Sequence, residues 1–162
     1  MVSKKIGLII VIFIIPLLLL AYMGIIGGGK DFFPDMGGGG PEFSRMEVNG
    51  FPLTVERAQT VLERQRGLSG RDSIAENQGL LFIFDEPDLH GIWMKEMRFP
   101  IDILWLDEGG VVLDIKRNAL PESYPEVFYP EVPAAYVLEL LSNFTELHNV
   151  KVGDVVMLPK DL

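Results

Sequence analysis

The sequence predicts an α+β, mostly β domain, compact and barrel-like or sandwich-like, with one or two short helices and an N-terminal transmembrane helix before it. Three observations support this prediction: a long apolar run near the N-terminus, two glycine runs after it, and a series of short apolar runs of strand length in the rest of the chain. A chain of 162 residues has room for one domain of ordinary size and such accessory segments.

The apolar run, IGLIIVIFIIPLLLLAYMGII, covers residues 6–26 and contains no charge. A helix of this length reaches about 30 Å, the thickness of the hydrocarbon core of a bilayer. The run is longer than the apolar region of a signal peptide, and Ala21 and Met23 form a poor cleavage pair. We therefore predict an uncleaved signal anchor whose partner is the lipid bilayer, with a cleaved segment as the alternative. A buried core helix is disfavoured because the run has no polar face.

The positions of the basic residues predict the orientation of this anchor. Lys4 and Lys5 precede the apolar run and the next basic residue is Lys30, which favours a cytoplasmic N-terminus at residues 1–5. The glycine runs at residues 27–44 predict a flexible linker. The expected protein is thus a single-pass protein of the cell membrane, with residues 45–162 forming a domain outside the cell.

Composition excludes several classes of chemistry. The net charge of −9 and the absence of a Lys/Arg stripe argue against nucleic acid as a partner. Because cysteine is absent, the chain has no disulfides, thiolate metal sites or cysteine nucleophiles. The two histidines lie in no zinc-binding or nucleophile motif, and His90 stands in a loop, DEPDLHGIW, that we interpret as solvated and acidic and not as a metal site. No cofactor or metal is expected, no catalytic residue is assigned, and the sequence does not establish an enzyme.

Local signals predict a hairpin and two helical segments. Asn49-Gly50 between two alternating runs is typical of a tight hairpin turn. Thr60 and Glu63 have capping-box spacing, and Gly67 is placed to end the short helix that they begin. A second helical turn is predicted at 143–148, where Asn143 and Glu146 have the same spacing. Further strands are predicted at residues 79–84, 91–95, 101–106, 111–116, 136–141 and 154–158. Long crossover helices are missing, which favours a barrel or sandwich over alternating βαβ units.

Several motifs in a fixed order carry a resemblance to a known family. They are RGLSGR, GLLFIF, WMKEMRFPIDILWLD, VVLDIKRN, ESYP, YVLEL and VKVGD, which begin at residues 66, 79, 93, 111, 122, 136 and 150. In this order they resemble the bacterial and archaeal family called domain of unknown function 192. The resemblance implies a single β-rich domain, often exported or membrane-anchored, without an established activity. Where family members tend to have a glycine turn after the YVLEL strand, this chain has Asn143, which we expect to adopt the left-handed conformation in its place.

Asp102 is the most informative charged residue of the predicted strand at 101–106. Strand alternation places it on one face with Leu104 and Leu106. A carboxylate in such surroundings needs a partner, and the sequence leaves two interpretations open. Asp102 either forms a structural ion pair with Lys95, Arg98 or Arg66, or it belongs to a ligand site.

Three more residues join Asp102 as candidate ligand-binding residues: Arg66, Trp93 and Lys95. Trp93 beside Lys95 is interpreted either as a stacking platform for a sugar or as core packing, whereas Trp105 is expected in the core. Arg66 either caps the helix that ends at Gly67 or offers its guanidinium to an anionic ligand.

These residues support three hypotheses about function. The first is a membrane-anchored binding module for a small polar ligand, carbohydrate-like or anionic, with Arg66, Trp93, Lys95 and Asp102 around the site. The second is an envelope enzyme that uses an acid and base pair such as Asp102 and Glu139. The third is a protein-assembly scaffold, which would show an exposed apolar patch. No motif identifies a protein partner.

Overall fold

The computed structural model describes residues 42–162. The predicted cytoplasmic N-terminus, the anchor at 6–26 and most of the linker lie outside the described residues. Strand β1 begins at Phe43, two residues before the domain boundary expected from the sequence. Within residues 42–162, no helix is both long enough and apolar enough to cross a membrane.

Within residues 42–162, nine strands make up two sheets, and the larger sheet is curled into a half-barrel. The strands are β1 Phe43–Val48, β2 Phe51–Ala58, β3 Gln78–Asp88, β4 Ile92–Trp93, β5 Ile101–Leu106, β6 Val112–Ala119, β7 Val127–Phe128, β8 Ala134–Leu141 and β9 Val156–Met157. The large sheet has the order β6-β5-β8-β3-β2-β1-β9, and β4 pairs with β7 in a separate ribbon. Two short α-helices, α1 at Val61–Arg66 and α2 at Phe144–Leu147, accompany them, with a 3-10 turn at Pro121–Ser123. The prediction of a mostly β domain with short helices is confirmed.

The large sheet has an apolar cluster on each face. The inner face is covered by side chains from all seven strands together with Phe144 and Val150. The outer face is covered by side chains from the central strands together with Leu68, Met94 and the ribbon of β4 and β7. Because the inner cluster includes both edge strands, we identify this face as the concave side of the curled sheet.

The two edges of the large sheet meet next to Gly110. Val111 forms an isolated antiparallel bridge with Val155, and the backbone N–H of Val112 donates to the Asp154 carbonyl at 2.8 Å. Gly110 has a φ of +81°, and a Cβ atom there would lie 2.3 Å from the Val156 carbonyl oxygen. Only glycine fits this approach of the two edges.

Local sequence signals are confirmed where they act over a few residues. Asn49 and Gly50 form the hairpin turn between β1 and β2, both with positive φ. The Thr60 and Glu63 capping box is present at the start of α1, and Gly67 ends the helix. The second helix is also present, but its predicted capping box is wrong: Asn143 adopts the left-handed conformation with a φ of 71° and makes no side-chain cap. Asn143 thus takes the backbone conformation that we expected it to adopt in place of glycine.

One connection in the large sheet departs from the expected topology. Strands β2 and β3 pair in parallel, with Val55 opposite Gly79. The chain between them, residues 59–77, crosses over the outer face and carries α1. A six-residue helix is sufficient for this crossover, so the absence of long helices did not exclude a parallel pair. This segment covers the part of the sheet that forms the candidate site.

Arg57 lies where the first and last described segments meet. Its guanidinium is 3.2 Å from Glu42 and 2.6 Å from Asp161, and its side chain is almost entirely buried. Strand β1 also pairs with β9, so that Val48 lies opposite Val156 and Glu47 lies opposite Met157. The two ends of the described chain therefore lie side by side.

Candidate ligand-binding site

A small cavity lies on the outer face of the sheet, between the α1 crossover and the chain entering the β4 ribbon. Its volume is about 90 Å³. The walls are formed by α1 and its following turn at residues 64–69, by Phe82, Phe84 and Met97, and by the segment from Gly91 to Trp93; Glu139 also lines it. The cavity thus combines aromatic walls, two arginines and one buried carboxyl group.

Glu139 is the buried polar group of this cavity. It points to the outer face from β8, between Leu80 of β3 and Ile103 of β5, which pair with it on either side. Its exposure is 4%, and its Oε2 atom has no hydrogen-bond partner among the described residues. Burial raises the pKa of Glu139 to about 8, with the nearby Arg71 acting weakly in the opposite direction. At neutral pH the group is therefore mainly a neutral carboxylic acid that can donate a hydrogen bond.

Arg71, the cation whose charge lowers the pKa of Glu139, already has a carboxylate partner. Arg71 Nη2 lies 2.6 Å from Glu56 Oε2. Glu56 and Glu139 each pair with Leu80, from opposite sides, so the three residues form one row across the outer face. Because Arg71 is paired with Glu56, its positive charge offsets little of the rise in the pKa of Glu139 that burial causes.

The two arginines of α1 have different roles at the cavity. Arg64 donates to the Ile83 carbonyl at 2.8 Å and lies over the Phe84 ring at 5.2 Å, and the His90 ring stacks on Phe84 with centroids 3.4 Å apart. Arg64 therefore belongs to the wall. Arg66 is exposed and lines the cavity, and its side chain forms no hydrogen bond or ion pair within residues 42–162. Of its two predicted roles, capping of the last carbonyls does not occur in the structure.

Trp93 forms the outer rim of the cavity. It is 44% exposed, with Lys95 Nζ at 5.8 Å from its ring and Tyr124 in edge contact at a centroid distance of 6.3 Å. The strand expected at 91–95 is only two residues long, so Lys95 reaches the ring from the following turn and not from a shared strand face. Trp105, in contrast, is 1% exposed and donates its Nε1–H to the His90 carbonyl at 2.8 Å.

Asp102 is not part of this cavity. It lies on the inner face, 1% exposed, and accepts hydrogen bonds from the Thr145 N–H at 2.9 Å, the Thr145 hydroxyl at 2.6 Å and the Asn118 N–H at 2.9 Å. The expected ion pair with Lys95, Arg98 or Arg66 is wrong, because neutral donors from α2 and β6 satisfy the carboxylate instead. The structure brings Arg66, Trp93 and Lys95 together and places Asp102 on the other side of the sheet.

The predicted acid and base pair is not assembled either. Asp102 is opposite Leu140 and Ile103 is opposite Glu139, so the two carboxyl groups point to opposite faces. The strand pattern YVLELL contained the signal for Glu139, a single charge within a buried run, although it was not among the predicted binding residues. Among residues 42–162 no group of three or more acidic or histidine side chains is arranged to hold a metal ion.

Together, the fold and the cavity define a partly closed, mostly β domain with one buried acid at a surface cavity. The chain belongs to the family domain of unknown function 192, described as "Uncharacterized ACR", whose model matches residues 44–158. This confirms the resemblance carried by the sequence motifs.

The solved structures that are similar to this chain include two from bacteria. One is a crystal structure from Sinorhizobium meliloti 1021, described as a candidate transcription regulator; it is 31% identical, has a TM-score of 0.68 and covers 74% of this chain and 95% of its own. Another, a protein of unknown function from Novosphingobium aromaticivorans DSM 12444, is 23% identical, has a TM-score of 0.64 and covers 81% of this chain and all of its own. The second likeness shows the fold alone. No curated protein matches this chain.

Proposed function

We propose that residues 45–162 form an extracytoplasmic binding module, anchored in the cell membrane by residues 6–26, that takes a small polar ligand into the cavity at Glu139. The observation that supports this proposal is the Oε2 atom of Glu139, which is buried at the cavity without a partner in the described chain. More than nine in ten buried polar groups in proteins have a hydrogen-bond partner. A ligand oxygen in the cavity supplies the one that Glu139 lacks.

The lining of the cavity favours a carbohydrate-like or anionic ligand. Phe82, Phe84 and Trp93 provide aromatic surface, on which sugar rings stack. Arg66 brings a guanidinium with no competing partner in the described chain to the rim, and this group suits carboxylate and phosphate oxygens. Lys95 adds a second cation beside Trp93.

Other functions have less support from the site. A two-carboxylate enzyme lacks its second carboxylate, because Asp102 lies on the opposite face of the sheet. The Sinorhizobium relative is described as a candidate transcription regulator, but residues 42–162 of this chain carry 11 basic and 21 acidic residues, which opposes regulation through contact with nucleic-acid phosphates.

Thermal unfolding of the full chain in detergent micelles tests this proposal, with glucose, glucuronate, glucose 6-phosphate, acetate and inorganic phosphate as probes. A ligand that binds the native state raises its melting temperature by mass action. We expect at least one probe to raise the melting temperature of the wild type. The same probe should have no effect on Glu139→Met, in which an apolar side chain of similar length replaces the acid.

Glu146→Met is the matched control, because Glu146 is exposed on α2 and its side chain makes no contact with the cavity. It should respond to the probe as the wild type does. The proposal would be overturned if no probe shifts the wild type, or if Glu139→Met responds as strongly as the control.

A further inference from the structure

We infer that the ligand enters the cavity with an anionic end, a carboxylate or phosphate group on a sugar-like body, and that it binds together with the proton of Glu139. This inference rests on the proposed function and specifies the chemistry of the ligand at that site. It follows from the size of the cavity, the charges around it and the state of the buried acid.

The size of the cavity limits what enters it. A cavity of about 90 Å³ is smaller than the engineered cavity of about 150 Å³ that holds one benzene ring in another protein. A carboxylate or phosphate group fits this space, whereas a complete sugar ring with its hydroxyl groups does not. The rest of the ligand would therefore remain outside, next to the exposed ring of Trp93 and its edge contact Tyr124.

The elements packed around Glu139 differ in charge: the two flanking strands place apolar residues beside it, and the segments that cover the cavity carry the charged groups. Helix α1 contributes Arg64 and Arg66, and the crossover contributes Arg71, which is paired with Glu56 of β2. The neighbouring strands place Leu80 and Ile103 beside the acid, and the wall and rim add His90 and Lys95. With Arg71 and Glu56 paired and Glu139 neutral, the charged residues that line the cavity are Arg64 and Arg66, whose positive charge attracts an anion.

An anionic end and an ionised Glu139 exclude one another in this cavity. Two carboxylates in one buried site repel, so they share a single proton, and the acid that keeps it donates a short hydrogen bond to the other oxygen. The Oε2 atom of Glu139 has no partner in the described chain, so this bond would displace no existing one. No covalent bond changes: the proton stays on the site while the ligand is held.

The consequence is a pH dependence of binding. Because the pKa of Glu139 is raised to about 8, the site is mostly protonated at pH 7 and about one-tenth protonated at pH 9. The apparent affinity for an anion should fall about tenfold between these values, in proportion to the competent fraction. Arginine keeps its charge throughout this range, so Arg64 and Arg66 do not produce the effect.

Calorimetric titration of the full chain in detergent micelles at pH 7 and pH 9 tests the inference. D-glucuronate and glucose 6-phosphate carry the two anionic ends, and D-glucose is the neutral probe with the same ring. We expect at least one of the acidic sugars to bind about tenfold more tightly than glucose at pH 7. The affinity for this acidic sugar should be about tenfold lower at pH 9 than at pH 7. The preferred acid distinguishes a carboxylate end from a phosphate end.

Two variants separate the proton from the guanidinium. Glu139→Gln should bind the preferred acid at both pH values without the tenfold loss, because its amide N–H donates whatever the pH. Arg66→Gln should lower the affinity for the preferred acidic sugar about tenfold. The pH dependence of binding should remain, because Glu139 is unchanged.

The outcomes keep this inference distinct from the proposed function. Equal binding of glucose and both acids, lost in Glu139→Met but independent of pH, would refute the anionic end and leave a binding module for neutral sugars. Binding of an acid whose pH dependence persists in Glu139→Gln would refute the role of the Glu139 proton. Absence of binding by all three sugars would refute the inference, while acetate and phosphate would still test the module.

Discussion

Asp102 and Glu139 are buried carboxyl groups on neighbouring strands of one sheet, yet their surroundings differ in the feature that matters for function. Asp102 faces the concave side and accepts three hydrogen bonds from Thr145 and Asn118. Glu139 faces the outer side between Leu80 and Ile103, and one of its oxygens has no partner in the described chain. Burial alone therefore does not distinguish a structural carboxylate from one that is open to a ligand; the number of donors around it does.

The largest effect in this comparison is expected for Asp102→Ala. The substitution removes the acceptor of three buried donors, two N–H groups and the Thr145 hydroxyl, and leaves a cavity. We expect it to lower the free energy of unfolding by about 3 to 5 kcal/mol. Urea unfolding of the full chain in micelles at pH 7, followed by tryptophan fluorescence, measures the change. Asp102→Asn keeps one acceptor oxygen, so its free energy of unfolding should fall by less. A decrease below about 1 kcal/mol in Asp102→Ala would contradict the structural role of Asp102.

A somewhat smaller effect is expected from the pH dependence of Glu139. The pKa of Glu139 is about 8 in the folded state and near its ordinary value of 4.5 in the unfolded chain. The folded state holds the Glu139 proton more tightly than the unfolded chain does. The contribution of this proton to the free energy of unfolding is therefore complete below about pH 4.5. It is lost as the pH rises to about 8, at about 1.4 kcal/mol per pH unit. Between pH 5 and pH 7.5 the free energy of unfolding of the wild type should fall by about 3 kcal/mol more than that of Glu139→Gln.

Urea unfolding of both proteins at several pH values measures this difference, because the other titrating groups are common to the two chains. Parallel stability curves for wild type and Glu139→Gln would show that Glu139 is not held as a neutral acid. The contrast with Asp102 would then lose its physical basis.

The smallest effect is expected for Trp93→Ala, which removes an aromatic group from the rim of the Glu139 cavity. Because Trp93 is 44% exposed, its loss should change the free energy of unfolding by less than about 1 kcal/mol while weakening binding of the sugar probes. Trp105→Ala, which empties a site in the outer-face core, should destabilise the domain as strongly as Asp102→Ala. A destabilisation of several kcal/mol by Trp93→Ala, measured by circular dichroism, would place Trp93 in the core instead of at a ligand.

The parts of the fold that the sequence predicts are those decided by neighbouring residues. The Asn49-Gly50 turn and the Thr60 capping box each depend on backbone conformations within four residues, and both are present. The alternation of side chains along β5, which places Asp102 and Trp105 on opposite faces of the sheet, also depends only on neighbouring residues. The parallel pairing of β2 with β3 depends on where a 19-residue crossover returns to the sheet, and no local pattern encodes that.

The candidate site was predictable only in part, for the same reason. Arg66 and Trp93 line one cavity and Lys95 lies over the Trp93 ring, although the strand predicted to hold Trp93 and Lys95 together ends at Trp93. Two of the three donors to Asp102 come from Thr145, 43 residues away, and this partner cannot be identified from the alternation of a strand. Glu139 reaches the cavity because of the register of β8 against β3 and β5, which is fixed by long-range pairing.

The position of Arg57 between Glu42 and Asp161 has a consequence for how the chain is threaded through the fold. Because both ends of the described domain pair with one buried guanidinium and β1 pairs with β9, a short linker could join residue 162 to residue 42 without crossing the molecule. New ends could then be opened at the exposed turn of Glu108 and Gly109. A circular permutant built in this way would keep Glu139 and its cavity intact while moving both ends of the domain to the Glu108 turn.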